Sequence, residues 1–223
     1  MKFIQYIRYF FLSISNRGLF FTLKLLLLEP YYERKLGIQT LTIENLEGLT
    51  VLDQDFQLNH HYQGASYYIL HKLFDVMNQF PNNRSFIDYG CGKGRPMIVA
   101  AREGFTEVKG IDLAEELCDM AKKNIEIIAS SLPLSSFSVI HANALFYEDI
   151  DTIEVFFFFN PFGRSVMRGV ISQMKKSKLR NERTLYVIYV NPQFFDCFIH
   201  EEFEIIYEMR SKNYTEAMIL RIS

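Results

Sequence analysis

Three groups of residues in this chain have the types and spacing to bind a small ligand and act on it. The first is Phe86-Ile87-Asp88-Tyr89-Gly90-Cys91-Gly92-Lys93-Gly94-Arg95. A short apolar run ends on an acid, and three glycines follow at alternate positions. Glycines permit left-handed backbone and let a ligand lie against bare main chain. Pro96 suits the first turn of a helix, whose exposed N–H groups can hold an anionic group. The second is Asp112, at the end of the run that starts at Glu107. A carboxylate about 20 residues beyond such a turn can accept both hydroxyls of a ribose. It also suits a helix N-cap, since Glu115, Glu116 and then Lys122 and Lys123 follow in the order a helix dipole favours. The third is Asn160-Pro161-Phe162-Gly163, after the run Val155 to Phe159. The Asn160 side-chain oxygen and the Pro161 carbonyl can accept two N–H bonds of an amine and aim its lone pair. Phe162 can stack on a planar target or face a cation. Holding an amine in this way would let orientation supply much of the rate of a reaction at its nitrogen. A plainer reading is an Asn cap with Pro in the next helical turn, and Asn191-Pro192 repeats that grammar.

The elements that must hold these groups follow from periodicity. Arg84 to Asp88, Glu107 to Ile111, Phe137 to Ile140, Thr152 to Phe159 and Thr184 to Val190 read as strands. Between them, Met97 to Glu103, Leu117 to Ile128 and Val166 to Met174 carry helical apolar spacing, and Gly104 stops the first of these. The unbroken run Val155 to Phe159 implies a strand buried on both faces, as in the centre of a parallel sheet. A short helix at Phe194 to Ile199 then leads to a closing hairpin, Phe203 to Met209 and Thr215 to Ile222. Ahead of the first strand, Tyr62, Ala65, Ile69, Leu73 and Val76 make one apolar helical face over residues 62–78. The fold class is therefore α/β, with the candidate residues at the carboxyl ends of the strands.

The order D-x-G-x-G-x-G in its strand-turn-helix setting resembles motif I of the class I S-adenosylmethionine-dependent methyltransferases. Asn160-Pro161-Phe162 resembles motif IV of their amine and amide members, with one proline missing. The resemblance covers residues 60–223. It implies a Rossmann-like seven-stranded sheet, mostly parallel with one antiparallel strand, with helices on both faces. It implies S-adenosylmethionine as cofactor, S-adenosylhomocysteine as product, and methyl transfer to a protein side chain or small molecule. Asp88 would face the methionine ammonium, and Gly90, Cys91, Gly92 and Gly94 would give backbone approach. Asp112 with Leu113 would hold the ribose, and Asn143 with Ala144 the adenine. Asn160, Pro161 and Phe162 would orient the acceptor, with Asn160 also near the cofactor, and Tyr62 and Gln63 would contact substrate. Two alternatives stand beside this reading. One is an NAD(P)-dependent oxidoreductase, although Arg95 occupies the place that G-x-G-x-x-G gives its third glycine. The other is an inactive cofactor-binding interaction module.

The rest of the chain sets bounds. Of its 223 residues 49% are hydrophobic, which excludes disorder and suffices for one sizeable domain with an appendage. A net charge of −2 argues against a nucleic-acid footprint. Cys91, Cys118 and Cys197 lack metal-ligand spacing, so the expectation is a reduced, cytoplasmic protein without a metal. His60-His61 are adjacent and so do not face one point, which also argues against a metal. Residues 1–30 read as an apolar and basic helical arm that Glu29-Pro30 interrupts, and residues 31–60 as a linker or lid with short strands near Leu41 and Leu46. Residues 61–223 form the catalytic unit. The arm has two readings: an in-plane helix on an anionic membrane surface, or a helix packed on its own domain or on a second subunit.

Overall fold

The structure is a computed structural model and describes residues 11, 13–41, 64–159 and 161–223. Seven strands form one sheet: β1 (Ser85–Tyr89), β2 (Glu107–Asp112), β3 (Ser136–His141), β4 (Val155–Phe159), β5 (Leu185–Val190), β6 (Glu204–Ser211) and β7 (Tyr214–Ile222). Their spatial order is β3-β2-β1-β4-β5-β7-β6. The pairs from β3 through β5 are parallel, and β7 runs antiparallel to both β5 and β6. One reversed strand in an otherwise parallel sheet is the arrangement the motifs implied. An α-helix joins β1 to β2, β2 to β3 and β4 to β5, the long crossover that adjacent parallel strands need.

Two apolar layers sandwich the sheet. On one face Phe86, Val108, Val155, Phe157 and Ile188 pack under α2 (Tyr67–Met77), α3 (Arg95–Arg102) and α4 (Glu115–Ala129). On the other, Ile87, Tyr89, Phe156, Phe158 and Val187 meet α5 (Arg164–Arg180) and α6 (Asp196–Ile199). The β4 residues alternate between these layers, which explains why the run of phenylalanines shows no polar positions. Gly110 of β2 lets α3 and the turn after β1 come close. A Cβ there would collide with the Met97 sulfur and lie 2.8 Å from the Cys91 Cβ.

The N-terminal stretch differs from its sequence expectation. Helix α1 (Leu19–Leu36) runs straight through Pro30 and ends at Gly37, a left-handed C-cap with φ 70°. The helix survives the missing N–H because Glu29 and Glu33, on either side of Pro30, are both anchored to the core. Beyond the cap, Ile38 and Thr40 are buried, so the first residues of the expected linker belong to the packed body. Residues 13–17, also helical, lie against the closing hairpin: Arg17 Nε donates to Glu216 Oε1 at 2.7 Å, and Asn213 N donates to the Asn16 carbonyl at 3.1 Å. The strands expected near Leu41 and Leu46 fall mainly outside the described residues. Among the described residues, no helix is long and apolar enough to cross a membrane.

Helix α2 starts at Tyr67, five residues later than its apolar periodicity suggested. The cause is Arg95. The Ala65 carbonyl accepts from Arg95 Nη1 at 2.8 Å, and a Cβ on Gly64 would sit 2.9 Å from the guanidinium carbon. Residues 64–66 wrap the arginine instead of turning into helix.

Candidate functional site

The glycine turn is built from three left-handed residues, with φ of 79° at Gly90, 52° at Gly92 and 81° at Gly94. No other residue type takes that sequence of conformations without strain. The turn leans on β2: Gly90 N and Cys91 N both donate to the Ile111 carbonyl, at 2.8 and 2.9 Å. Gly92 N donates to Asp112 Oδ2 at 2.8 Å. Gly90 is exposed, whereas Gly92 and Gly94 are buried. The Gly94 Cα faces Ala121 of α4, where an added Cβ would lie 3.2 Å from the alanine methyl. Asn124, one turn further along α4, holds the Lys93 carbonyl at 3.0 Å and exchanges hydrogen bonds with the main chain of Gln39.

Two carboxyl groups flank this turn. Asp88 is 1% exposed, and among the described residues its Oδ2 has no hydrogen-bond partner. Burial, then the nearby Asp112 charge, push its pKa well above the usual carboxylate range. Asp112 Oδ1 accepts from Ala114 N at 3.0 Å, so it caps the approach to α4 as well as bracing Gly92. Burial raises its pKa too, against the pull of the main-chain N–H groups of Ala114, Gly92 and Leu113. Each Asp112 oxygen that serves one N–H keeps a second lone pair for a hydroxyl.

The remaining expected residues fall as follows. Cys91 turns its side chain inward toward Gly110, and contact with the Cys118 thiol, then burial, raise its pKa. Only its main chain is placed to meet a ligand. The Leu113 carbonyl lies 2.9 Å from His141 Nε2, which puts the imidazole proton on that nitrogen. Asn143 Oδ1 accepts from Leu145 N at 2.9 Å and caps a 3₁₀ turn, Ala144–Phe146, so that acceptor is already used once. Pro161 sits over the first glycine: a Cβ on Gly90 would approach the Pro161 Cβ to 2.7 Å. Phe162 stands edge-on to Tyr89 and Phe158, at 6.3 and 6.2 Å between ring centres. Asp88, the three glycines, Asp112 and Pro161 thus come together. Asn160, Tyr62, Gln63, His60 and His61 lie outside the described residues. Asn191, the parallel of Asn160 after β5, is a left-handed turn residue with φ 50° whose side chain accepts from the Tyr214 hydroxyl. Among the described residues, no three His, Cys, Asp or Glu side chains are placed to hold a metal.

Sequence reasoning missed the cluster behind the turn. Arg95, 1% exposed, donates from Nε to Thr40 Oγ1 at 2.6 Å and from Nη1 to Glu29 Oε2 at 2.5 Å. Its Nη2 faces Glu33 Oε1 at 3.6 Å, and its guanidinium lies over the Tyr67 ring at 4.4 Å. Glu29 Oε1 also accepts from Tyr67 N, and Glu33 Oε1 from the Tyr67 hydroxyl. A signal existed: Glu29 and Glu33 are the sole acids before Glu44 and stand four apart, on one helical face.

No protein-family profile matches the sequence. A segment is 33% identical over 75 residues to the ribosomal protein L11 methyltransferases of Neisseria gonorrhoeae and Neisseria meningitidis, covering 30% of this chain. The match spans only a quarter of the length of those relatives (25%). Among solved structures, the Pyrococcus abyssi tRNA (uracil-54, C5)-methyltransferase in complex with S-adenosylhomocysteine superposes with a TM-score of 0.54 at 14% identity, over 83% of this chain and 45% of that one. The magnesium protoporphyrin IX methyltransferase of Synechocystis with bound S-adenosylmethionine gives 0.50 at 14% identity, over 72% of this chain and 85% of that one. The strand order, the glycine turn and these superpositions agree: the chain has the fold of the class I S-adenosylmethionine-dependent methyltransferases.

Proposed function

We propose that the chain is an S-adenosylmethionine-dependent methyltransferase that acts on nitrogen in a protein side chain or a small molecule. The observation that carries this reading is the unpartnered oxygen of Asp88, buried beside three left-handed glycines. A buried carboxylate without a donor is costly unless a ligand completes it. The ammonium of a methionine moiety is such a donor, and the second lone pairs of Asp112 suit ribose hydroxyls. When bound, the cofactor supplies an electrophilic methyl group on a sulfonium. The chain's own residues then bind and orient. Gly90 keeps the turn open, since any side chain there would strike Pro161. Pro161, pressed on Gly90, and Phe162, wedged on Tyr89 and Phe158, form a fixed wall at the end of β4. The Pro161 carbonyl and the Asn160 amide would accept the N–H bonds of the acceptor. The L11 methyltransferase relatives, named for a protein substrate, support a protein acceptor.

The test is a thermal-shift comparison of S-adenosylhomocysteine with NAD. At 100 times its dissociation constant a bound ligand stabilises by about 2.7 kcal/mol. The homocysteine compound is expected to raise the melting temperature and NAD to leave it unchanged, with the response lost in Asp112→Ala. A response to NAD alone would overturn the reading.

A further inference from the structure

Helix α1 is apolar on both sides, and among the described residues only one side is covered. Its inner face packs on α2, with Phe21 edge-on to Tyr68 at 5.4 Å and Tyr32 stacked on Tyr67 at 4.9 Å. Its outer face presents Leu19 (54% exposed), Phe20 (74%), Leu23 (41%), Leu26 (54%), Leu27 (69%) and Tyr31 (54%). These positions recur at three and four residues and make one continuous stripe. A helix that is apolar all round belongs in a protein interior or in lipid, and a stripe of this extent marks an interaction surface.

Charge identifies the partner. Both acids of the helix, Glu29 and Glu33, are turned inward onto Arg95, with side chains 15% and 11% exposed. Among the described residues, the α1 charges that flank the outer stripe are all basic. Lys24 lies over the Phe20 ring at 4.7 Å, at the edge of the stripe. Arg34 and Lys35 close its far end, where they line an open groove with Leu27, Pro30 and Tyr31. Two copies of this face would set basic rims against each other with no carboxylate between them. A bilayer with anionic headgroups satisfies both features: the acyl boundary takes the leucines and phenylalanine, and the headgroups take the lysines and arginine.

We propose that the outer face of α1 docks on an anionic lipid bilayer, with the helix lying in the membrane plane. Because Glu29 and Glu33 bind Arg95, the first residue after the glycine turn, the bilayer would hold the ligand-binding edge of the sheet in a fixed attitude. The proposal does not depend on the catalytic reading.

The full chain is floated with vesicles of phosphatidylcholine alone and of phosphatidylcholine mixed with phosphatidylglycerol, without cofactor. Flotation is expected with the anionic vesicles and is expected to fall as salt is raised. The variant Phe20→Ser/Leu27→Ser should keep its melting temperature and lose flotation. Lys24→Glu/Lys35→Glu should weaken anionic binding several-fold. No flotation of the native chain, or equal flotation of the variants, would overturn the proposal. So would a native dimer, seen by light scattering, that Phe20→Ser/Leu27→Ser converts to monomer, because a second copy would then own the face.

Discussion

Two buried charges lie on opposite sides of the same glycine turn and meet different fates. Behind the turn, Arg95 is enclosed by chain: Thr40, Glu29, Ala65, Glu33 and the Tyr67 ring all face it, and its Nη2, which makes no hydrogen bond among the described residues, still lies 3.6 Å from the Glu33 carboxylate. In front, Asp88 is equally buried, yet one of its oxygens meets no donor among the described residues, and the charge that acts on it is that of another carboxylate, Asp112. A buried charge that the fold completes with opposite charges is architecture. One that the fold leaves incomplete marks where a ligand belongs.

The largest effect should come from breaking the completed side. Arg95→Ala strands Glu29 and Glu33 and is expected to cost about 3–5 kcal/mol in urea unfolding. An effect below about 1 kcal/mol, the level of an exposed pair, would show the cluster to be incidental. The incomplete side should respond in the opposite sense. Asp88→Asn is expected to raise the melting temperature of the ligand-free chain while removing the stabilisation of about 2.7 kcal/mol by saturating S-adenosylhomocysteine. The same contrast has a pH signature. The pKa of folded Asp88 lies above its ordinary value of 3.8, so the folded chain binds the proton more tightly than the unfolded one. Its contribution to stability is full below that ordinary value and is lost as pH rises through the folded value. Asp112 is raised as well and acts in the same direction. Melting temperatures of the native chain, measured against those of Asp88→Asn, should therefore decline as pH rises through this window. Ligand affinity should strengthen over the same range.

Gly90→Ala sharpens the comparison at the hinge between the two sides. It combines a left-handed φ with a contact on Pro161. We expect a loss of about 1–3 kcal/mol in stability, with weaker S-adenosylhomocysteine binding by calorimetry. The smallest effect belongs to the surface. Asp151→Asn removes an exposed partner of Arg180 and should leave the melting temperature unchanged.

What was legible in the sequence is what neighbouring residues decide. The glycine turn, its flanking strand and helix, Asp112 at the next strand end and the closing hairpin all follow from local pattern. The continuity of α1 and the late start of α2 do not, because both are imposed by Arg95 from a distance. Glu29 and Arg95 are separated by 66 positions, and no periodicity links them. Pro30 and Gly64 carry ordinary breaker and turn signals, but tertiary contacts overrule the first and redirect the second. The cofactor half of the candidate site lies on strand ends, where local pattern places Asp88, the glycines and Asp112. Its acceptor half rests on Asn160, Tyr62 and Gln63, whose roles remain as the resemblance implied them.

Gly110 carries one more consequence. It brings the second strand close to the turn after the first, with the Met97 sulfur and Cys91 Cβ seated where a methyl would go. The turn so seated carries Gly92, whose N lies 2.8 Å from the Asp112 carboxylate two residues along the same strand. Adding a single carbon at residue 110 would jack the two apart and uncouple the cradle from its neighbouring acid without touching either.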